Sequence, residues 1–260
     1  MQKIFSSRKT ALVIVTAVLL SWQAPGLARE IRTVALDDET EVDIRVFPAS
    51  GEVLLLGFNC DEGVAGREEL TAAQLADDGI EVWMPDMLSA YLLPNLSSSV
   101  GKIPAQDVVT LIEAAYRATG KRTYLIAGDR ATDLLLRGVV ASEAGKPAAE
   151  GALAGAVLLF PRLLAGEPDP GKEPVYVDAV GKTRLPLLVL EGGHTPNRWF
   201  LPHLVAALRA GGSPVDARLM PDLRGRFYNR PDADMTESTA AEQLAGLIKA
   251  SLLSLRRMNP

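Results

Sequence analysis

"TYLIAGDRATDLLLRG", residues 123–138, packs three local signals into sixteen positions. Its first part, Thr123–Ile126, is β-branched and aromatic, which suits a strand. Ala127-Gly128-Asp129-Arg130-Ala131 then supplies small residues, an acidic residue and a base, with no serine or cysteine. A leucine-rich run follows at once and reads as a helix. A strand that feeds directly into a helix is the unit from which parallel sheets are built, because parallel neighbours need a crossover connection. The stretch therefore sets the fold class, and the rest of the chain repeats the pattern.

Working outward from it, "EVLLLGF" (52–58), "IEVWMPD" (80–86), "GALAGAVLLFP" (151–161), "LPLLVLEGG" (185–193) and "VDARLMPD" (215–222) are further strand candidates. Most are near-continuous apolar runs without inside–outside alternation, as expected for strands covered on both faces. Helical stretches separate them: "REELTAAQLADDG" (67–79), "AQDVVTLIEAAYRATG" (105–120), "NRWFLPHLVAALRAGG" (197–212) and "STAAEQLAGLIKASLLSLRR" (238–257). Ahead of these, "IRTVALDDETEVDIRVFPAS" (31–50) has two strand-like runs around turn residues, an opening hairpin. The expected architecture is α/β, with a mostly parallel central sheet, an N-terminal hairpin and helices on both faces. The two long irregular segments, 92–104 and 162–182, are expected on the edge where the strands end, as a lid, a partner surface or plain insertions.

Residues 1–28 stand apart. Lys3, Arg8 and Lys9 precede the apolar run "ALVIVTAVLLSW", and Gly26 and Ala28 offer a small-residue cleavage site. That is the pattern of a secretory signal, so a periplasmic or secreted chain of residues 29–260 is expected, with no stable membrane span after cleavage. Without those three bases, 24 Lys plus Arg face 32 Asp plus Glu, a net charge of −8. So acidic a chain is a poor match for nucleic acid or an anionic membrane. Cys60 is the only cysteine, which excludes internal disulfides and cysteine-cluster metal sites. Neither a GxGxxG nor a P-loop is present, no spaced ligand set suggests a metal, and no cofactor is expected.

The order hairpin, then alternating strands and helices, together with the 123–138 turn, resembles the α/β-hydrolase superfamily over nearly the whole chain after residue 28. The resemblance implies a nucleophile in the middle of a small-x-nucleophile-x-small turn. In one register Asp129 fills that slot between Ala127 and Ala131, as in the aspartate-nucleophile haloalkane dehalogenases and epoxide hydrolases. In the other, Arg130 fills it and nucleophilic attack is impossible. A competing reading of Asp129 is a helix N-cap with no chemistry. The resemblance places the catalytic histidine after the last strand, yet "MPDLRGRFYNRPDAD" (220–234) has none. His203 lies in a helix, and His194 follows the strand after which the superfamily has its acid. A serine esterase, lipase or peptidase is therefore not expected.

Cys60, in "GFNCDEG" (57–63), lies in the loop where the superfamily builds part of its oxyanion hole, and offers a less favoured nucleophile with His194 as base. Its acidic neighbours would raise the thiol pKa, the wrong direction for attack. The expectation is an exported protein of hydrolase type, catalytically degenerate, that binds a small molecule or a protein at the C-terminal edge of its sheet. Arg130, Arg224 and Arg226 are the candidate anion-binding side chains, with Cys60 and His194 beside them. The alternative is a hydrolase of esters, epoxides or haloalkanes that uses Asp129 or, failing that, Cys60.

Overall fold

The computed structural model describes residues 29–58, 66–145, 153–169 and 171–258. The signal-like segment 1–28 and Cys60 lie outside them. Two antiparallel strands, β1 (Glu30–Ala35) and β2 (Glu41–Phe47), form the expected hairpin. Asp37 fixes its turn, accepting at Oδ1 from the N–H groups of Glu39 (2.8 Å) and Thr40 (2.7 Å), a short-range acidic turn of the kind Asp favours.

Six strands follow: β3 (Val53–Phe58), β4 (Ile80–Pro85), β5 (Arg122–Gly128), β6 (Leu153–Leu159), β7 (Leu187–Gly192) and β8 (Val215–Met220). The eight make one sheet in the order β1-β2-β4-β3-β5-β6-β7-β8. β2 runs antiparallel to β4, and β4 through β8 are mutually parallel. Helices α1 (Gly66–Asp77), α2 (Met87–Ala90), α3 (Ala105–Thr119), α4 (Ala131–Ala144), α5 (Leu201–Gly211), α6 (Met235–Glu242) and α7 (Leu244–Met258) complete the chain.

The apolar strands lack alternation because each serves two cores. Leu54 and Leu56 of β3 pack with α3 and α4, whereas Leu55 packs on the opposite face with Leu75 of α1 and Ile248 of α7. A polar residue on either face is costly unless it finds a hydrogen-bond partner, so both faces are largely apolar. β8 departs from this pattern: it is the end strand, and its residues from Asp216 onward are half-buried or exposed.

Two helix readings needed adjustment. The expected 197–212 helix begins as a 3-10 turn at Pro196–Phe200 and becomes α-helical only at Leu201, with a proline in the first turn where its missing N–H costs nothing. The closing helix is two helices, broken at Gln243, and α6 starts earlier at a capping box formed by Asp234 and Glu237. Of the irregular segments, Ser97–Lys102 is a 3-10 turn, and 162–182 carries a Leu164–Tyr176 bridge and a 3-10 turn at Asp178–Gly181. Among the described residues no helix is long and apolar enough to cross a membrane.

Candidate functional site

Parallel strands end on a common edge, and their registers bring the ends of β5, β6, β7 and β8 together: Gly128 lies opposite Leu159, and Gly192 opposite Met220. On this edge the chain turns from β5 into α4 through Asp129. Its φ is +49°, a left-handed conformation that costs a non-glycine residue about 1–2 kcal/mol. Three backbone bonds hold it there. Asp129 N–H donates to Leu159 O (3.0 Å), and Asp129 O accepts from the N–H groups of Thr132 (3.3 Å) and Arg162 (3.3 Å). The Thr132 hydroxyl adds a bond to the same oxygen at 2.6 Å. Ala127 and Ala131 are buried at the flanks. The left-handed backbone puts Asp129 at the tip of the turn.

Capping does not explain Asp129. The N-cap position of α4 is Arg130, which makes no side-chain capping bond. The Asp129 carboxylate instead lies between two guanidiniums: Arg162 Nε is 3.6 Å from Oδ1 and Arg226 Nη1 is 3.9 Å from Oδ2. The carboxylate is 9 % exposed while Arg162 is 52 % exposed, so the acid is held in the floor and Arg162 reaches into solvent above it.

Arg226 arrives from the loop after β8, where the resemblance placed a histidine. This loop folds back over the end of β7, where His194 N–H donates to Leu223 O at 3.0 Å. It is then pinned by stacked rings: Phe227 meets Phe160 and Tyr228 edge-on at centroid distances of 5.8 and 5.5 Å. The Tyr228 hydroxyl sits so close to Gly128 that a Cβ there would lie 2.7 Å from it, so any other residue would have to push that side chain aside. Gly128 and Tyr228 also line an apolar cavity of about 80 Å³ between the sheet and helices α1 and α7, with Leu55, Ala72, Ile126 and Leu159.

Of the candidate residues, the structure brings Asp129 and Arg226 together and disperses the others. Arg130 points away, exposed, at the start of α4. Arg224 is consumed within its own loop: its Nε donates to Glu237 Oε1 (2.7 Å), its Nη1 to Asp232 Oδ2 (2.8 Å), and its Nη2 to Asp232 O (2.8 Å). His194 and His203 are both exposed, and no hydrogen bond or ion pair joins either to Asp129 among the described residues. Asp232, a conceivable substitute base, is held down to about 2 by hydrogen bonds from Arg230 and Arg224, the opposite of what a base needs. Cys60 lies outside the described residues.

Sequence reasoning missed Arg162, Tyr228 and Glu191. Glu191 ends β7 and is 2 % exposed. Its carboxylate accepts from the Thr195 hydroxyl (2.8 Å) and the Gly192 N–H (2.9 Å). Burial raises its pKa, partly offset by those two bonds. Its signal was a lone acid closing an otherwise apolar strand at the ligand edge. Among the described residues no group of His, Cys, Asp and Glu is arranged to hold a metal.

Element order, the antiparallel β2 and the strained turn after β5 together define an α/β-hydrolase-type fold. Comparison with solved structures bears this out. The apo form of esterase 2 from Thermogutta terrifontis superposes with a TM-score of 0.61 at 13 % identity, covering 88 % of this chain and 96 % of that one. A Klebsiella pneumoniae protein named as a dienelactone hydrolase gives 0.60 at 17 % identity, covering 83 % and 96 %. The Thermogutta esterase with propionate bound gives 0.61 at 14 % identity, covering 88 % and 96 %. No protein-family model and no curated protein matches the sequence.

Proposed function

We propose that this protein is a non-hydrolytic member of the fold that binds a small carboxylate-bearing molecule at the C-terminal edge of its sheet. The observation that carries this reading is the company Asp129 keeps. Among the described residues the charged groups paired with it are two guanidiniums, which stay protonated at any physiological pH and take no proton from water. Turnover of an ester through Asp129 needs a base for the second step, and loss of a general base costs about a hundred- to ten-thousandfold. Arg162 supplies the binding side. Among the described residues it makes one ion pair, of 3.6 Å, half its side chain faces solvent, and a planar guanidinium suits a carboxylate. The apolar cavity beside Gly128 gives a short alkyl tail somewhere to go. The Thermogutta esterase has been seen with propionate and with butyrate bound, which is in keeping with a small acid as ligand. The basic start and apolar run of residues 1–28 support export to the periplasm or beyond.

Titration calorimetry with butyrate, hexanoate and the neutral hexanamide tests the proposal, beside an assay with p-nitrophenyl butyrate. The expected result is binding of the acids, about tenfold or more weaker in Arg162→Ala, with little binding of the amide and no ester turnover. Equal binding of acid and amide, or steady ester hydrolysis, overturns it.

A second reading rests on one observation, the strained backbone kept at Asp129 between two buried alanines. Strain of this kind accumulates at functional turns. Under this reading the Asp129 carboxylate attacks carbon to form an ester, as halide leaves a haloalkane or the C–O bond of an epoxide opens to an alkoxide that takes a proton from water, and intact-protein mass shows an adduct that Asp129→Asn abolishes. No adduct on the unmodified protein rejects it.

A further inference from the structure

β8 ends the sheet, with β7 as its one strand neighbour among the described residues. Pro214 O accepts from Leu187 N–H at 2.8 Å and Met220 O from Gly193 N–H at 2.7 Å, so the even-numbered residues turn their backbone groups toward β7. Strand alternation then directs those of Val215, Ala217 and Leu219 off the sheet. Arg209 Nη2 reaches Val215 O from outside at 2.7 Å, so that carbonyl does point outward but is already bonded within the chain at the start of the strand. A row of outward strand groups is a template for another strand unless something blocks it.

The charges on β8 select which strand. Asp216 and Arg218 lie in register with Leu188 and Leu190, which face α7, and Arg218 donates to Ser254 of that helix at 2.6 Å. Within the chain Arg218 also donates to Asp216 at 3.3 Å, on the exposed rim of the strand, where the two side chains remain 49 % and 41 % exposed and can exchange this pairing for one across a partner. We propose that β8 pairs antiparallel with β8 of a second copy about a twofold axis through Ala217. In this register Ala217 meets Ala217 as a hydrogen-bonded pair, and each Asp216 meets the other copy's Arg218, twice over by symmetry. Shifting the axis by one residue sets Asp216 against Asp216, or Arg218 against Arg218, and like charges directly opposite are unfavourable. On the other face Val215 meets the second copy's Leu219, a side chain 47 % exposed in the single chain. The same register lays the second copy's Gly212–Pro214 turn alongside Met220–Asp222. Those residues, with Leu219 and the 85 % exposed Met235, border an open groove of about 650 Å³. The occupant of both the strand edge and the groove is a second copy of this chain.

Analytical ultracentrifugation of the protein tests this with Asp216→Arg, Arg218→Asp and the double swap, near-ultraviolet circular dichroism confirming that each is folded. The unmodified protein is expected to sediment at twice the monomer mass. Each single variant opposes like charges in both symmetric positions and should weaken the dimer about tenfold or more. The double swap restores opposite charges and should restore the dimer. A mixture of the two single variants should form a mixed dimer, because Arg at 216 then meets Asp at 218. A monomeric unmodified protein, single variants that still dimerise, or a swap and a mixture that stay monomeric each overturn the proposal.

Discussion

Asp129 has a backbone conformation that its own chemistry does not ask for, and substitution separates the two. Alanine and glycine both remove the carboxylate and its contacts with Arg162 and Arg226, so their difference reports only the φ of +49°. Elsewhere glycine is the less stable by about 0.5–1 kcal/mol. Here the left-handed penalty of about 1–2 kcal/mol falls on alanine alone. Asp129→Gly should therefore be more stable than Asp129→Ala by roughly 1 kcal/mol in urea unfolding; the reverse order would mean the turn relaxes out of the strained region. Glu191 gives a second residue-level case with the opposite charge logic. Burial raises its pKa, so the folded state holds a proton that the unfolded chain has released. Stability from this group is therefore full at low pH and declines as pH rises above the ordinary value of 4.5, through the raised folded one. Glu191→Gln keeps an acceptor for Thr195 and Gly192 without the charge. Its denaturation midpoint relative to the unmodified protein should rise as pH climbs above 4.5 and level off once the folded carboxyl ionises, and a pH-independent difference would show that Glu191 does not titrate upward.

The loop after β8 shows how one element can be built by charge yet read by eye as a ligand cluster. Arg224 and Arg226 sit two apart in "DLRGRF", and nothing in the spacing separates them. The fold does, because Arg226 takes a left-handed φ of +57°, which turns it toward Asp129 while Arg224 stays with its own loop. Glu237, fully buried in the first turn of α6, is held down to about 2, first by hydrogen bonding from Arg224. Removing Arg224 leaves that carboxylate buried and unpaired. Leaving one partner of such a pair buried and alone is destabilising, so Arg224→Ala should unfold at a clearly lower urea midpoint. Adding Glu237→Gln should recover part of the loss in urea unfolding, whereas an additive second loss would show the two residues are not coupled. The Glu237 contribution is present above 4.5 and fades as pH falls toward 2, so the Arg224→Ala deficit should shrink over that acid range. The split of the closing helix at Gln243 was just as hidden, since neither proline nor glycine marks the break.

Over the whole molecule, what could be read from sequence was whatever depends on neighbours along the chain. The apolar runs of β3 to β7 announce a sheet covered on both faces, and the small residues around Asp129 announce a sharp turn. What could not be read depends on strands meeting side by side. Arg162 stands next to Asp129 only because β6 pairs with β5, with Gly128 opposite Leu159, and Tyr228 reaches Gly128 only because the last loop folds back across β7. The same side-by-side packing leaves the apolar cavity, where under the proposed reading added core volume and a ligand tail compete. Ala72, 2 % exposed on α1, faces this space. Ala72→Val adds two methyl groups' worth of buried apolar contact at about 0.8 kcal/mol per carbon. Part of that gain is offset by rotamer restriction of a β-branched residue in a helix. The folded state should gain about 1 kcal/mol, seen as a higher urea midpoint with an unchanged slope. If the cavity is where the ligand tail lies, the same variant should bind hexanoate more weakly than the unmodified protein does while still binding acetate, whose tail never enters. A stabilised variant with unchanged hexanoate affinity would make the cavity a packing defect and put the whole ligand site above it, around Arg162. A destabilised variant would mean the space is too small for added carbon, and the tail would have to lie elsewhere too.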